Sequence, residues 1–260
     1  MSLNYDQTFV LNGQQLSGVS SLVFDYNFGV GKIETLGAKN FGFTKVSPPE
    51  GSVSFNRSLI YNDPLLSYTG DSACSGYFQQ NGVTNLFTSG YLTRYSVSCG
   101  VGQIPAVSSE IKVFGEMKSG VGGQIAAHPD IFIPSPKSIE VSNVYGNSNK
   151  VKDFSYSLEI PREPKYSVGA NLYPDAVVRN GAIQISASIS FDVRGFSPLD
   201  VHSFVKEVSA PSFSVNIKDR TLSTTLMSLS VHNAQIVSQT LDSNTDSPLT
   251  LNLSYEGYIE

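Results

Sequence analysis

The residues that most often carry catalysis are scattered along this chain. Its three histidines, His128, His202 and His232, lack the His-x-x-x-His or His-x-Glu spacing that would place two ligands, or a ligand and a base, side by side. A transition-metal site needs three or four such groups that converge on one point. The sequence therefore predicts no metal site and no histidine-centred acid–base pair.

Two glycine-flanked stretches invite a chemical interpretation. In Gly70-Asp71-Ser72-Ala73-Cys74-Ser75-Gly76, a turn could project a serine or a cysteine, but a nucleophile elbow needs a strand before it and a helix after it. The run Gly120-Val121-Gly122-Gly123 lacks the Lys and Ser/Thr of a phosphate-binding loop. We expect a surface loop and a linker at these places, no cofactor, and no enzymatic activity.

The only cysteines are Cys74 and Cys99, whose 25-residue separation matches no metal-binding spacing. The N-terminal residues show no basic segment followed by an apolar one, as a secretory signal would. We therefore expect two reduced thiols in a protein made in the cytoplasm.

Alternation of apolar and polar residues predicts a mainly β protein. In residues 52–60, Val53 and Phe55 alternate with polar neighbours, and Leu249, Leu251 and Leu253 do so near the C-terminus. This period of two is typical of a strand with one buried and one wet face. The sequence also predicts two short helices.

The two helix predictions rest on proline and capping signals. Pro64 follows Asn62-Asp63 and could occupy the first helical position. In residues 197–208, Ser197 and Pro198 form a good N-cap and N1 pair, and apolar residues follow at helical spacing.

The sequence contains two stretches with the same pattern of predicted strands, which indicates that one strand-rich unit occurs twice. Residues 22–28 match 154–160 in alternation at an offset of 132, Gly51 to Phe55 match Gly181 to Ile185 at 130, and Asp63-Pro64-Leu65 matches Ser197-Pro198-Leu199 at 134. We therefore predict two β domains, 1–118 and 131–260, joined by a glycine-rich linker at 119–130.

Charged residues within the predicted strands are the remaining candidates for a site. Asp25, Glu159 and Asp192 lie in strands, and an acid on the wet face of a closed barrel would line its interior. Four arginines sit at or beside strands, where ordinary surface ion pairs of little energetic value are expected. They are Arg57, Arg94, Arg162 and Arg194.

Composition narrows the classes of partner. The 260 residues carry a formal net charge of −5 with no basic stripe of the kind a nucleic-acid binder needs, and no apolar run of membrane-spanning length. Only 15% of residues are charged, against a typical value of about 25%. Low charge with 13 Tyr and 15 Phe favours extensive protein–protein contact, because interfaces are depleted in Lys and Glu.

The order of these features resembles the tail tube proteins of long-tailed bacteriophages. The resemblance covers nearly the whole chain and rests on Asn12-Gly13-Gln14-Gln15-Leu16 before a long strand, Leu36-Gly37, and Gly51-Ser52-Val53-Ser54-Phe55 before a Pro-Leu step. The segment Glu159-Ile160-Pro161-Arg162-Glu163-Pro164 is similar to phage tail structural proteins as well.

The resemblance implies tandem β-sandwich or half-barrel domains, each with a short helix, whose strands join those of neighbouring copies in a β-barrel around a channel. Six such units form a ring in that family, so a chain with two implies three chains per ring, stacked into a tail tube in the virion. Other tail proteins would be partners, and DNA would pass without specific binding. Asp25, Glu159 and Asp192 would then be candidate lumen-facing acids that repel phosphates.

Two other functions remain open from the sequence. A baseplate hub or distal tail ring uses similar duplicated domains, and it differs from a tube in having one ring per virion. A carbohydrate-binding adhesin module is the alternative of another class, although the chain has no Trp, a residue whose large face suits sugar stacking.

Overall fold

The structure, a computed structural model, is mainly β, as the alternation of residues predicts. It describes residues 7–33, 42–45, 48–80, 83–120, 132–143, 146–147, 151–168, 172–193, 213–231, 234–244 and 247–259. Within these ranges the only helical segments are two 3₁₀ turns, Leu65–Tyr68 and Pro136–Ser138.

The described residues of the first half form ten strands. They are β1 (Gln7–Leu11), β2 (Gln14–Gln15), β3 (Val19–Asn27), β4 (Val30–Ile33), β5 (Gly42–Lys45), β6 (Glu50–Ser58), β7 (Cys74–Gln80), β8 (Val83–Gly100), β9 (Ala106–Val113) and β10 (Met117–Gly120).

Ten more strands lie in the part of the second half that the structure describes. They are β11 (Ile139–Asn143), β12 (Gly146–Asn147), β13 (Val151–Glu159), β14 (Arg162–Lys165), β15 (Ala176–Arg179), β16 (Ile183–Asp192), β17 (Phe213–Lys218), β18 (Thr225–Val231), β19 (Gln235–Asn244) and β20 (Ser247–Ile259).

Eight of these strands form one continuous antiparallel sheet in the order β3-β6-β9-β8-β13-β16-β20-β19. The junction between the halves is β8 with β13, where residues 94–100 pair with residues 153–159. The two halves therefore share one sheet, and the sheet crosses the boundary between them without a break.

Two smaller sheets cover one face of the eight-stranded sheet. The first contains β2, β1, β7, the start of β8, and β10, and the second contains β12, β11, β17 and β18. The Phe9 ring lies 5.0 Å from that of Phe55, and the Phe213 ring lies 5.4 Å from that of Tyr255. A single apolar core fills the space between the layers, and each large side chain buried there stabilises the fold by about 1.5–3 kcal/mol.

The long strand β8 belongs to both layers of the first half. Its residues before Gly90 pair with β7 and β10, and those after it pair with β9 and β13. Ser89, with a φ of 53°, lies at the change of layer. In the second half two separate strands, β18 and β19, take the places of the two parts of β8.

The two halves repeat one strand order and one register. The order β3-β6-β9-β8 recurs as β13-β16-β20-β19. Leu22 lies opposite Phe55, and Phe154 lies opposite Ile189, so the offset is 132 in the first strand and 134 in the second. For the third and fourth strands of the order the offset is 144, because the opposed residues 92 and 111 of β8 and β9 correspond to the opposed residues 236 and 255 of β19 and β20.

Local irregularities recur at the same positions. One extra residue interrupts the pairing at Ser20 in β3 and at Lys152 in β13, and again at Thr93 in β8 and at Val237 in β19. A β-bulge re-aims a strand and is not required by alternation. Matching bulges are therefore much stronger evidence for a repeat than shared alternation alone.

Three details differ from the sequence predictions. Gly51 corresponds to Ile185 at an offset of 134, not to Gly181 at 130, because a shift of four residues preserves alternation and the sequence cannot distinguish the two. The segment after Pro64 is a four-residue 3₁₀ turn, while residues 197–208 lie outside the described residues. Ser119 and Gly120, expected in the linker, pair with β8 as part of β10; the rest of that linker is also outside the described residues.

Candidate functional site: a polar, acidic sheet face

The face of the eight-stranded sheet that no other described strand covers, here called the polar face, carries serine as its commonest residue. Cross-strand pairing places the side chains of directly opposed residues on the same side, so the register defines this face. Its serines are Ser21, Ser52, Ser54, Ser58, Ser96, Ser98, Ser108, Ser155, Ser157, Ser186, Ser188, Ser190, Ser238 and Ser254.

Many of these hydroxyls hydrogen bond to the sheet itself. The Oγ atoms of Ser155 and Ser188 lie 2.7 Å apart, and Ser190 donates to the Asn252 side chain over 2.7 Å. Hydroxyls held in this way lie close to the backbone and present neither large apolar groups nor strong charges. The serines therefore give a polar surface of small side chains across both halves.

Acidic residues outnumber basic residues on the polar face. It carries Lys112, Arg94 and Lys152 against eight acids, which are Asp25, Glu50, Glu110, Asp153, Glu159, Asp192, Asp242 and Glu256. Their formal sum is −5, which equals the formal charge of the whole chain. The remainder of the protein is thus formally neutral.

Ion pairs moderate this charge near the centre of the face. Arg94 Nη2 lies 3.2 Å from Glu159 Oε1 and Arg94 Nη1 lies 3.7 Å from Glu110 Oε2. Lys112 Nζ lies 2.9 Å from Glu50 Oε2. All these groups are well exposed, so each pair stabilises the fold by less than about 1 kcal/mol.

The polar face is concave at its centre. A depression of about 430 Å³ lies across five strands there, with Ser54, Arg94, Ser108, Ser157 and Ser186 among the residues that line it. Serine hydroxyls and the Arg94 ion pairs lie on its walls beside Tyr95 and Leu158, whereas sites for small molecules are typically lined predominantly by apolar side chains.

All three acids singled out from the sequence lie on the polar face, but they are far apart along it. Asp25 lies in the edge strand β3, opposite Ser52. Glu159 lies at the end of β13, opposite Arg94. Asp192 lies opposite Thr250, at the end of β16 that is far from Glu159. The sequence prediction omitted Glu50, Glu110, Asp153, Asp242 and Glu256. Their alternation in phase with the serines could have revealed them.

Two of the four arginines are buried, contrary to the expectation of surface ion pairs. The Arg57 side chain is fully buried and forms an ion pair with Asp63, which also accepts a 2.8 Å hydrogen bond from Tyr95. Arg162 is equally buried, and burial lowers its pKa. It donates to the carbonyls of Leu92 and Gly70 and to Asp71. Arg94 is exposed, as expected, and Arg194 lies outside the described residues.

Among the described residues, the groups considered for catalysis are not brought together. Cys74 begins β7 and is buried, which raises the pKa of its thiol to about 12, and burial also raises the pKa of Cys99. The three histidines lie outside the described residues. No group of three or more potential metal ligands occurs in the part of the chain that the structure describes.

Among the described residues, β3 and β19 are the edge strands of the sheet and are open. Within the described ranges β3 pairs only with β6, and β19 pairs only with β20. On the apolar side of these edges, Phe24 and Leu241 are only partly buried against the core. An open edge of this kind presents unpaired backbone groups to any complementary strand.

No described helix has the length and apolar character needed to cross a membrane. The sequence matches no family model, and no curated protein is significantly similar to it.

Proposed function

We propose that the chain is a structural subunit of a tubular virion assembly, the tail tube that its sequence resembles. One observation carries the proposal: an eight-stranded sheet is covered on its apolar face and presents serines and a net charge of −5 on the other. A lumen for DNA needs such a lining, since phosphates would be attracted by basic groups and repelled by acidic ones.

The chain, in this proposal, is two copies of one tube-like unit, at 1–118 and 131–260, with the linker between them. The recurrence of strand order, register and bulges supports the duplication. Each unit adds four strands to the lining, and the junction of β8 with β13 already joins two units laterally.

Strand number supports a ring of three chains. Three copies supply about 24 strands, which at about 4.8 Å spacing and about 40° tilt give a ring roughly 48 Å across its backbone and roughly 38 Å inside its side chains. Two copies would leave roughly 22 Å inside by the same estimate, which is too tight for a hydrated duplex. The eight strands per chain come directly from the sheet order.

Electron microscopy of the purified protein over a range of concentrations tests the assembly. We expect rings with a central hole, and stacks of rings as concentration rises. Single rings that never stack would favour the hub or distal ring, whereas monomers at every concentration would refute the assembly. Binding to a glycan array by such monomers would favour the adhesin.

Charge reversal tests the lining. Asp153→Lys with Asp192→Lys should make assembled tubes retain duplex DNA, with an affinity that falls steeply as salt rises. The matched control is Glu140→Lys with Glu163→Lys, which changes the net charge equally but alters acids of β11 and β14 that lie off the polar face. Equal retention by both double variants would refute the assignment of the polar face to the lumen.

A further inference from the structure

The junction between the halves provides a template for the contact between chains. Across β8 and β13, Arg94 lies opposite Glu159, Ser96 opposite Ser157, and Ser98 opposite Ser155. β8 is the last strand of the first repeat in sheet order, and β13 is the first strand of the second. At the open edges, β19 is the last strand of the second repeat, and β3 is the first strand of the first repeat.

The opposite directions of the two edge strands permit the same contact between two copies. All neighbours in the eight-stranded sheet are antiparallel, so its two edge strands run in opposite directions. A second copy, added head to tail, would therefore pair its β3 antiparallel to β19 and keep its polar face on the same side. Such a heterologous contact can close into a ring.

We propose that β19 of one copy pairs with β3 of the next in one defined register, with Ser238 opposite Asn27, Thr240 opposite Asp25, and Asp242 opposite Val23. The offsets of 144 and 132 residues convert the β8–β13 pairs into these pairs. The inference rests on the proposed ring, and it specifies which strands and which residues meet.

The apolar side of the two edges fits this register. Leu241 would lie opposite Phe24, in the place where Val97 lies opposite Tyr156 within the chain. Val97 and Tyr156 are fully buried, whereas Leu241 and Phe24 are only partly buried. Pairing between copies would bury an aliphatic residue against an aromatic one, a favourable cross-strand combination.

Slipped registers are less favourable. A slip of one residue would place the apolar side of one edge strand opposite the polar side of the other, so that Leu241 would meet Val23 or Asp25. A slip of two residues in one direction would place Asp242 opposite Asp25, and like charges directly opposed destabilise a sheet. The opposite slip would place Gln239 against Phe24 and would lose the aliphatic–aromatic pair.

Cysteine cross-linking tests the register. Thr240→Cys and Asp25→Cys, made in separate chains and mixed, should form a disulfide-linked dimer at least about tenfold faster than either slipped pair, because directly opposed side chains approach disulfide distance. The slipped controls are Thr240→Cys with Val23→Cys and Thr240→Cys with Asn27→Cys. Native Cys74 and Cys99 are buried with raised pKa values, so the unmodified protein provides a low background.

A chain that carries both Thr240→Cys and Asp25→Cys should give a covalent ladder that ends at a closed trimer. Faster linkage of a slipped pair would overturn the register, and self-linkage of Asp25→Cys alone would replace it with a two-fold β3–β3 contact. Rings without any cross-link would refute the β19–β3 pairing and leave the tubular assembly standing. Monomers without cross-links would refute both.

Discussion

The buried ion pair between Arg57 and Asp63 should be among the most sensitive points of the fold. Both side chains are almost completely inaccessible, at 0% and 1% exposure. Asp63 also accepts hydrogen bonds from the Tyr95 hydroxyl and from the backbone N–H of Leu65. Burial and the nearby carboxylate hold the pKa of Tyr95 well above its ordinary value, so it stays a donor at any physiological pH.

Asp63→Ser should lower the free energy of unfolding by about 3–5 kcal/mol, because it leaves a buried guanidinium without a counter-charge. Nε and Nη1 of Arg57 have no hydrogen-bond acceptor among the described residues, and its guanidinium lies 5.0 Å from the Tyr61 ring. The site therefore offers little to compensate for the lost carboxylate. Urea unfolding of dilute monomer, followed by circular dichroism, measures the change.

The second half of the chain suggests the matched control. Position 57 corresponds in register to Phe191, a fully buried apolar residue. Arg57→Met combined with Asp63→Ser removes both charges, and should recover at least about 2 kcal/mol relative to Asp63→Ser alone. A loss below about 1 kcal/mol for Asp63→Ser, or a double variant no more stable than that single variant, would refute the reasoning.

Three further predictions concern local structure. Arg162→Lys should cost roughly 2–4 kcal/mol in urea unfolding, because the buried guanidinium donates to several carbonyls and one carboxylate, while the exposed Arg94→Lys should cost under about 1 kcal/mol. Gly90→Ala should lower the melting temperature, since a Cβ there would lie 2.7 Å from the Phe87 ring, whereas Gly70→Ala, with nothing within 4 Å, should leave it unchanged. Hydrogen bonds from the Thr221 hydroxyl and the following backbone lower the pKa of Asp219. Its contribution to stability is therefore present above the ordinary carboxyl pKa and is lost as pH falls toward the lowered value, so Asp219→Asn should be less stable at pH 7 and should converge with the unaltered protein in acid.

The sequence predicts most of the strands because apolar and polar residues alternate in a strand that has one buried face and one exposed face. The same alternation places Asp25, Glu159 and Asp192 on one face. It cannot fix the offset of β6 against β16, because a shift of four residues leaves every side chain on its own face.

Burial of the arginines depends on contacts that are distant in the chain. Arg162 is held by carbonyls about 70 and 92 residues away, which no local pattern indicates. Arg57 did carry a signal, since it follows Val53 and Phe55 in the same alternation and therefore belongs to the buried face. Its charge concealed that signal, because a buried arginine requires a partner that the sequence does not identify.

The shared register of the two halves has a consequence for the order of folding. β3 and β13 offer the same spacing of side chains to a pairing strand, so β8 has two possible neighbours, one in its own chain and one in another molecule. The covalent connection from Gly100 at the end of β8 to Val151 at the start of β13 keeps β13 at an effective concentration of roughly millimolar order, above that of a dilute second molecule. Pairing of β8 with β13 within the chain should therefore occur first, and in the proposed ring only β19 and β3 remain to be joined between copies.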